Sequence, residues 1–430
     1  MTTRPTHTDC LNTLFGLRRF GIKLGLATIR RILVNLGNPH RLYRTVHVAG
    51  TNGKGSVASG ISSVLQASGY GVGLYTSPHL VRFNERIQVD GAEITDADIV
   101  RLYRRVKRAL PGGREPTFFE FTTAMALDEF ARRKVDWAVI ETGMGGRMDA
   151  TNVVAPAVTV VTNVSLEHRE YLGPTLAAIA FEKAGIIKRR TPVVTGVRQP
   201  SALAVIRRAA GMKSAPLYCL GQEFSCRRTG PQQFNYSGLS HRWSDLATSL
   251  QGSYQVGNAA LVLAACELLQ PKAPRIDLER IRIGLAAHRW PGRLEVVCTT
   301  PLVMVDGAHN LDAARQLARH LTHDLAGRKL TLVVGILDDK PYRAMLRLLL
   351  PLAERVIATQ AKINRALPAA TIAAFAKTIV PDVTAEPDVA AALRQAMRTA
   401  APGSLTLAAG SLYVVGEVKA ALAQTAVQPG

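Results

Sequence analysis

Cysteine is scarce and unpatterned in this chain of 430 residues. The five that occur, Cys10, Cys219, Cys226, Cys266 and Cys298, are odd in number and lack the close pairs of a zinc site or a disulfide framework, so a reducing compartment is expected. Long apolar runs are missing as well. No uncharged stretch approaches the roughly 18 residues that span a bilayer. Met1 to Cys10 is polar, without the apolar core of a secretory signal, so the expectation is a soluble, cytoplasmic protein with no membrane partner. Acidic residues are few, 32 against 53 basic ones, leaving a formal charge of +21 that would attract anions from nucleic acid to small carboxylates. The basic residues are spread along the chain in short runs such as Arg101 to Arg108, which fits a solvated surface as well as a functional patch. No solenoid repeat occurs. No aromatic-basic stripe or recognition motif backs a nucleic-acid partner, so a basic P-loop protein that binds nucleic acid rests on charge alone.

What is present begins with Thr45-Val-His-Val-Ala-Gly-Thr-Asn-Gly-Lys-Gly-Ser56. An apolar run that breaks into glycines, a lysine and a hydroxyl reads as a strand delivering a phosphate-binding loop. Gly50, Gly53 and Gly55 remove Cβ atoms that would keep backbone N–H groups from an anion, Lys54 adds a charge, and Ser56 offers a hydroxyl to Mg²⁺. Thr51 and Asn52 complete the loop. Apolar residues recur at helical spacing from Val57 to Ala67, which places the loop at a helix N-terminus, itself an anion site. The strict G-x-x-x-x-G-K-[ST] pattern is not met, because residue 48 is Val and Gly55 separates Lys54 from Ser56. The bland alternative is a glycine-rich strand-to-helix turn.

Downstream the chain alternates strands and helices. Gly71 to Thr76 is a strand running into Ser77-Pro78-His79, where Pro78 also suits a simple turn. Thr117-Phe-Phe-Glu120 has capping-box spacing and opens a helix through Ala131. Trp137 to Thr142 is a strand ending on Glu141, a carboxylate that is costly at a buried strand tip unless it binds metal or pairs, here with Arg147. Ala157 to Thr162 is a further strand, followed by Asn163, Ser165, Glu167 and His168. Lys183 sits on a helix among apolar neighbours, either functional or paired with Glu182 or Glu170. Ser225 to Ser244 reads as short antiparallel pieces, and Gln251 to Asn258 opens a helix to Leu269. Four further strand candidates, at 302–306, 330–335, 355–359 and 405–410, alternate with helices as in an open parallel sheet. The fold class is therefore α/β: a P-loop parallel-sheet domain over residues 1–296, then a smaller Rossmann-like α/β domain over 297–430.

Seven segments in this order carry a resemblance over nearly the whole chain: Phe20 to Leu26, Gly50 to Ser56, Tyr75 to Ile87, Glu141 to Asn152, Glu182 to Ile186, Asp306-Gly-Ala-His-Asn310 and Gly410 to Tyr413. They resemble the bacterial folylpolyglutamate synthase family of the Mur ligase superfamily, including its members that are also dihydrofolate synthases. The resemblance implies an ATP- and Mg²⁺-dependent amide ligase that joins L-glutamate to dihydropteroate or to the γ-carboxylate of a reduced folate through an acyl phosphate. A monofunctional folylpolyglutamate synthase is one alternative within it. A Mur-type cell-wall ligase is another, disfavoured by Thr76-Ser-Pro-His-Leu80 and Glu85-Arg-Ile87. Mapped on this chain, Lys54, Glu141, His168 and Lys183 match catalytic positions. Ser77 and Glu141, with Ser56 nearby, match a first magnesium site, and Glu141, His168 and Lys183 a second. An ammonium cannot bind a cation, so the resemblance implies that Lys183 is carbamylated. Asn258, Arg293, Asp306 and His309 resemble positions that hold ATP from the second domain, and Arg82 and Asp149 resemble folate- or pteroate-binding positions. The protein is expected to be a monomer acting on small molecules. Three departures stand out: Glu167 where Asp is usual, Arg169 where a small polar residue is common, and Leu311 in place of a proline.

Overall fold

The computed structural model describes residues 5–17, 25–325 and 327–427. Of the segments that carry the resemblance, Phe20 to Leu24 lies outside the described residues. The chain forms two compact units. One comprises the residues through Pro78 with Phe83–Ser249 and Gln255–Arg289; the other comprises His79–Arg82, Leu250–Tyr254 and Trp290 onward.

The first unit is organised on an eight-stranded sheet. Its strands are β1 (Arg44–Ala49), β2 (Val72–Tyr75), β3 (Ile87–Val89), β4 (Ala92–Glu93), β5 (Trp137–Glu141), β6 (Val158–Val161), β7 (Val193–Thr195) and β8 (Leu217–Cys219), in the order 4-3-2-5-1-6-7-8. From β2 to β8 all neighbours are parallel, while β3 and β4 are antiparallel. The sheet separates two cores, and alternate residues go to opposite ones. Val46, Val48, Trp137 and Val139 pack with the helix Lys54–Ala67 on one face, whereas Ala138 and Ile140 pack with the helix Phe118–Arg132 on the other. A parallel strand covered on both faces must be apolar throughout, which is why these segments read as unbroken hydrophobic runs. Strand β1 lies between β5 and β6, where the strand order reverses. In such sheets ligands bind at the carboxyl ends beside that reversal, where Gly50, Thr142 and Thr162 emerge.

The polar stretch after Gln222 forms an antiparallel sheet of β9 (Ser225–Arg228), β10 (Gln233–Ser237) and β11 (Arg242–Ala247). Its aromatic residues Phe234, Tyr236 and Trp243 are buried against the helix Ser253–Leu269. The buried Glu267 of that helix accepts from the Tyr236 hydroxyl at 2.8 Å and from the Leu239 and His241 amides at 2.8 and 2.9 Å, tying sheet to helix.

The second unit has a six-stranded sheet of β12 (Glu295–Thr299), β13 (Leu302–Asp306), β14 (Leu330–Val334), β15 (Arg355–Ala358), β16 (Asp382–Ala385) and β17 (Leu405–Ala409), in the order 12-13-17-14-15-16. All pairs are parallel except β12 with β13. The four expected strands are present. The two not foreseen, β12 and β16, are the sheet edges, where many side chains stay exposed and the hydrophobic signal fades. The expected domain division at 296/297 falls within β12. Among the described residues no helix is long and apolar enough to cross a membrane.

Candidate active site

The loop after β1 is shaped by contacts that only glycine permits at two positions. A Cβ on Gly50 would stand 1.8 Å from Thr162 Oγ1, and one on Gly53, at φ +78°, would stand 2.7 Å from Asn258 Oδ1. The helix begins at Lys54 rather than Val57, so Lys54, Gly55 and Ser56 form its first turn, and Gly53 caps it in the left-handed conformation that glycine adopts without strain. No side chain caps this end, which leaves its first amides available to an anion. Strand β6 supplies the clamp that holds the loop. The Thr51 amide donates to the Asn163 carbonyl at 3.0 Å, the Asn52 amide to Asn163 Oδ1 at 2.9 Å, and Thr162 Oγ1 to the Asn52 carbonyl at 2.6 Å. The Ser165 amide donates to Thr51 Oγ1 at 3.0 Å. Polar residues after β6 were visible in the sequence; that they fasten the phosphate loop was not.

Both candidate lysines meet this loop. Lys54 Nζ donates to the Thr51 carbonyl at 3.1 Å, and Lys183 Nζ to the Gly50 carbonyl at 2.7 Å. Lys183 is buried, at 4% exposure, on the helix Leu176–Ala184. Burial, aided by the nearby Lys54 charge, pulls its ammonium down to about 7, against smaller opposing effects of Glu167 and Asp149. A side chain that titrates near neutrality exists partly as a free amine, the form that reacts with electrophiles. The ion-pair alternatives for the neighbouring charges resolve differently from expectation. Glu182 binds Arg147 at 2.9 Å, so Arg147 is engaged there, while Glu141 Oε2, at the tip of β5, accepts the Ser77 amide at 2.9 Å. Ser77 and Glu141 are thus brought together, as expected, and Ser56 is buried in the first turn of the loop helix. His168 is half-exposed in a left-handed backbone conformation, its Nε2 3.9 Å from Glu167 Oε1.

Asp149 is buried and caps the short helical turn Ala150–Val153. Its Oδ1 accepts the Thr151 amide at 3.0 Å and the Thr151 hydroxyl at 2.5 Å, and its Oδ2 accepts the Met144 amide at 2.9 Å. Burial raises its pKa, opposed by these donors. Arg82 is exposed on the His79–Arg82 segment, which groups with the second unit.

Asn258 is a correction. Expected with the second domain, it belongs to the first unit, its side chain against Gly53 and its Nδ2 donating to Gln255 Oε1 at 2.8 Å. Arg293, Asp306 and His309 belong to the second unit. Buried at the end of β13, Asp306 accepts the Leu294 amide at 3.0 Å and the Ala308 amide at 2.9 Å. Burial raises its pKa while the Arg293 charge lowers it. His309 Nδ1 donates to the Gly307 carbonyl at 2.8 Å, and Asn310 caps the helix Leu311–Asp324, so Leu311 enters that helix where the family has proline.

Magnesium prefers hard oxygen ligands, and Glu141, Ser56 and Ser77 are of that kind. Lys183 as an ammonium is not. Among the described residues no three His, Cys, Asp or Glu side chains converge as a metal cage. Hydroxyls and substrate phosphates would have to complete the shell.

Residues 48–266 match the Mur ligase middle domain, and residues 292–412 match the glutamate ligase domain of Mur ligases. The chain is 40% identical over 363 residues to the dihydrofolate synthase/folylpolyglutamate synthase of Bacillus subtilis, covering 81% of this chain and 84% of that one. It is 44% identical over 331 residues to the folylpolyglutamate synthase of Lacticaseibacillus casei, covering 74% and 77%. Among solved structures it is similar to Escherichia coli FolC in complex with DHPP and ADP, at TM-score 0.90, 30% identity and coverage of 98% and 100%. It is also similar to folylpolyglutamate synthase from Thermotoga maritima, at TM-score 0.86, 36% identity and coverage of 98% of each chain.

Proposed function

The chain belongs to the Mur ligase family, on its dihydrofolate synthase/folylpolyglutamate synthase branch, and from that premise we propose that it joins L-glutamate to dihydropteroate and to reduced folates at the expense of ATP. The observation that carries the reading is the meeting at one loop of a glycine-shaped anion cradle, Lys54, and the buried Lys183 on the Gly50 carbonyl.

A carboxylate is a poor electrophile. Its oxygen attacks the γ-phosphorus of ATP, the bond to ADP breaks, and the resulting acyl phosphate carries a good leaving group. The amine of glutamate then attacks the acyl carbon, phosphate departs with its oxygen, and the amine loses a proton. Phosphoryl transfer is catalysed mainly by positioning and charge neutralisation. The loop amides and Lys54 are disposed for that, and Asn258 lies where it meets the same loop. Ser56, Ser77 and Glu141 would hold one Mg²⁺, which supplies charge stabilisation to the transferring phosphoryl group when bound. A second ion would use Glu141, His168 and Lys183, the last as a carbamate. Burial that leaves Lys183 partly unprotonated supports that chemistry, since only the free amine attacks CO₂. Arg293, Asp306 and His309 are assigned to ATP, and Asp149 and Arg82 to the pteroate or folate. The enzyme is taken as a cytoplasmic monomer.

The test is phosphate release by the purified protein with ATP, Mg²⁺ and glutamate, comparing dihydropteroate, tetrahydrofolate and no acceptor. Release with both acceptors establishes the double activity; release with tetrahydrofolate alone leaves a monofunctional synthase; no acceptor-dependent release overturns the reading. Lys54→Ala is expected to fold normally and lose at least about a hundredfold in turnover, the scale of a removed charge-stabilising group.

A further inference from the structure

Strand β1 carries a buried histidine that the proposed reaction does not use. His47 has no exposure, and the strand's alternation turns it toward the same face as Ile140, away from Val46 and Val48. Its Nε2 lies 2.9 Å from Thr151 Oγ1, whose hydroxyl is the 2.5 Å donor to Asp149 Oδ1. His47 Nδ1 is buried without a hydrogen-bond partner. Burial, reinforced by the Lys188 charge, holds the ring neutral, with a pKa of about 3.

The proton positions follow. The Asp149 carboxylate accepts two backbone amides, so it is served by donors, and the Thr151 proton points to it. The Thr151 oxygen then accepts, and the His47 proton sits on Nε2. The opposite arrangement would leave a proton on Nδ1, and an orphaned buried N–H is the rarer and costlier defect than an orphaned lone pair. Every link therefore has one direction: His47 Nε2–H to Thr151 Oγ1, Thr151 Oγ1–H to Asp149 Oδ1.

We propose that His47 and Thr151 are positioning residues that hold Asp149 so that a single Oδ2 lone pair is presented to an N–H donor of the acceptor's ring system. Oδ1 is already saturated by the Thr151 amide and hydroxyl, and Oδ2 has one acceptor place beyond the Met144 amide. A carboxylate held on both oxygens cannot rotate to suit a misplaced ligand, so the relay selects heteroaromatic acceptors with an amine or ring N–H at one position. His47 also lies on the strand that ends in Gly50, so one rigid element sets both the phosphate loop and the orientation of Asp149. The inference rests on the assignment of Asp149 to the acceptor.

Initial-rate kinetics on the purified enzyme test it, with KM measured separately for dihydropteroate, ATP and glutamate. Thr151→Val and His47→Leu are each expected to raise the acceptor KM at least about tenfold while the ATP and glutamate KM values hold, and Thr151→Ser to restore it. Because the two act in one chain, the double variant is expected to be no worse than either alone. An unchanged acceptor KM in Thr151→Val, equal rises for all three substrates, or strictly additive effects would overturn the proposal. A merely structural role would lower the melting temperature and leave the acceptor KM in place. If His47→Leu does not fold, the Thr151 pair decides. Asp149→Asn separates the two layers: an unaffected acceptor KM there refutes the assignment of Asp149 itself, whereas a raised one alongside a normal Thr151→Val refutes only the relay.

Discussion

Asp149 in the first unit and Asp306 in the second are the same device built twice. Each is buried, each accepts the amide two residues ahead through Oδ1, and each holds an amide of a preceding segment through Oδ2, Met144 for Asp149 and Leu294 for Asp306. Burial raises both above the usual carboxylate range. They differ in what offsets that cost. Asp306 has a cation, Arg293, and the buried hydroxyl of Tyr254 near it, whereas Asp149 relies on neutral donors, the Thr151 hydroxyl backed by His47. A carboxylate facing a cation is suited to hold a charged partner in place; one held by a one-way chain of neutral dipoles is suited to read a hydrogen-bond pattern. Local turn geometry is therefore common to both, and function diverges with the long-range neighbours.

The comparison breaks most visibly when the carboxylates are deleted. Asp149→Ala strands two amides and a hydroxyl, and Asp306→Ala strands two amides; at about 1–3 kcal/mol for each buried group left unpaired, both should be severely destabilised, Asp149→Ala the more so, as read by urea unfolding. Equal losses would mean that the Thr151 hydroxyl finds another partner. The near-isosteric Asn variants sharpen the contrast in function: Asp149→Asn is expected to raise the acceptor KM roughly tenfold, and Asp306→Asn the ATP KM by a similar factor, each sparing the other. Crossed or shared effects would erase the distinction between the two sites.

A smaller effect concerns pH. A carboxyl whose folded pKa is raised binds more protons folded than unfolded, so its stabilising contribution is full below the unfolded value near 3.8 and is lost as pH rises through the folded value. Both Asn variants should flatten that decline in unfolding free energy. Lys183 runs the other way. Its folded pKa of about 7 lies below the unfolded 10.5, so it weakens the fold below pH 7, and that penalty is relieved as pH rises from about 7 to 10.5. Lys183→Met should melt higher than the native protein at pH 6 and have no turnover. The smallest change is expected of His309→Ala, which removes one half-buried bond to the Gly307 carbonyl and should cost about 1 kcal/mol in denaturant unfolding.

The phosphate loop was legible because its glycines, lysine and serine are consecutive, and strand tips such as Glu141 were legible because a carboxylate interrupts an apolar run. The helix opened by Thr117 was equally plain, since Thr117 and Glu120 cap each other within one turn. The edge strands Glu295–Thr299 and Asp382–Ala385 were not, because half-exposed strands carry no continuous hydrophobic signal. His47 had one trace, a polar residue inside an otherwise apolar strand. Nothing in its spacing pointed to Thr151, more than a hundred positions away.

The chain by itself determined its alternation of strands and helices, the loop chemistry and the family to which it belongs, since each depends on neighbours within a few residues and on their order. Tertiary structure alone decided that Lys183 rests on the Gly50 carbonyl rather than on Glu182, that Arg147 takes Glu182, and that Asn258 packs on Gly53. Hydrogen bonds of about 3 Å and the loss of water around a charge depend on which distant segments are brought together. No period or local propensity encodes that.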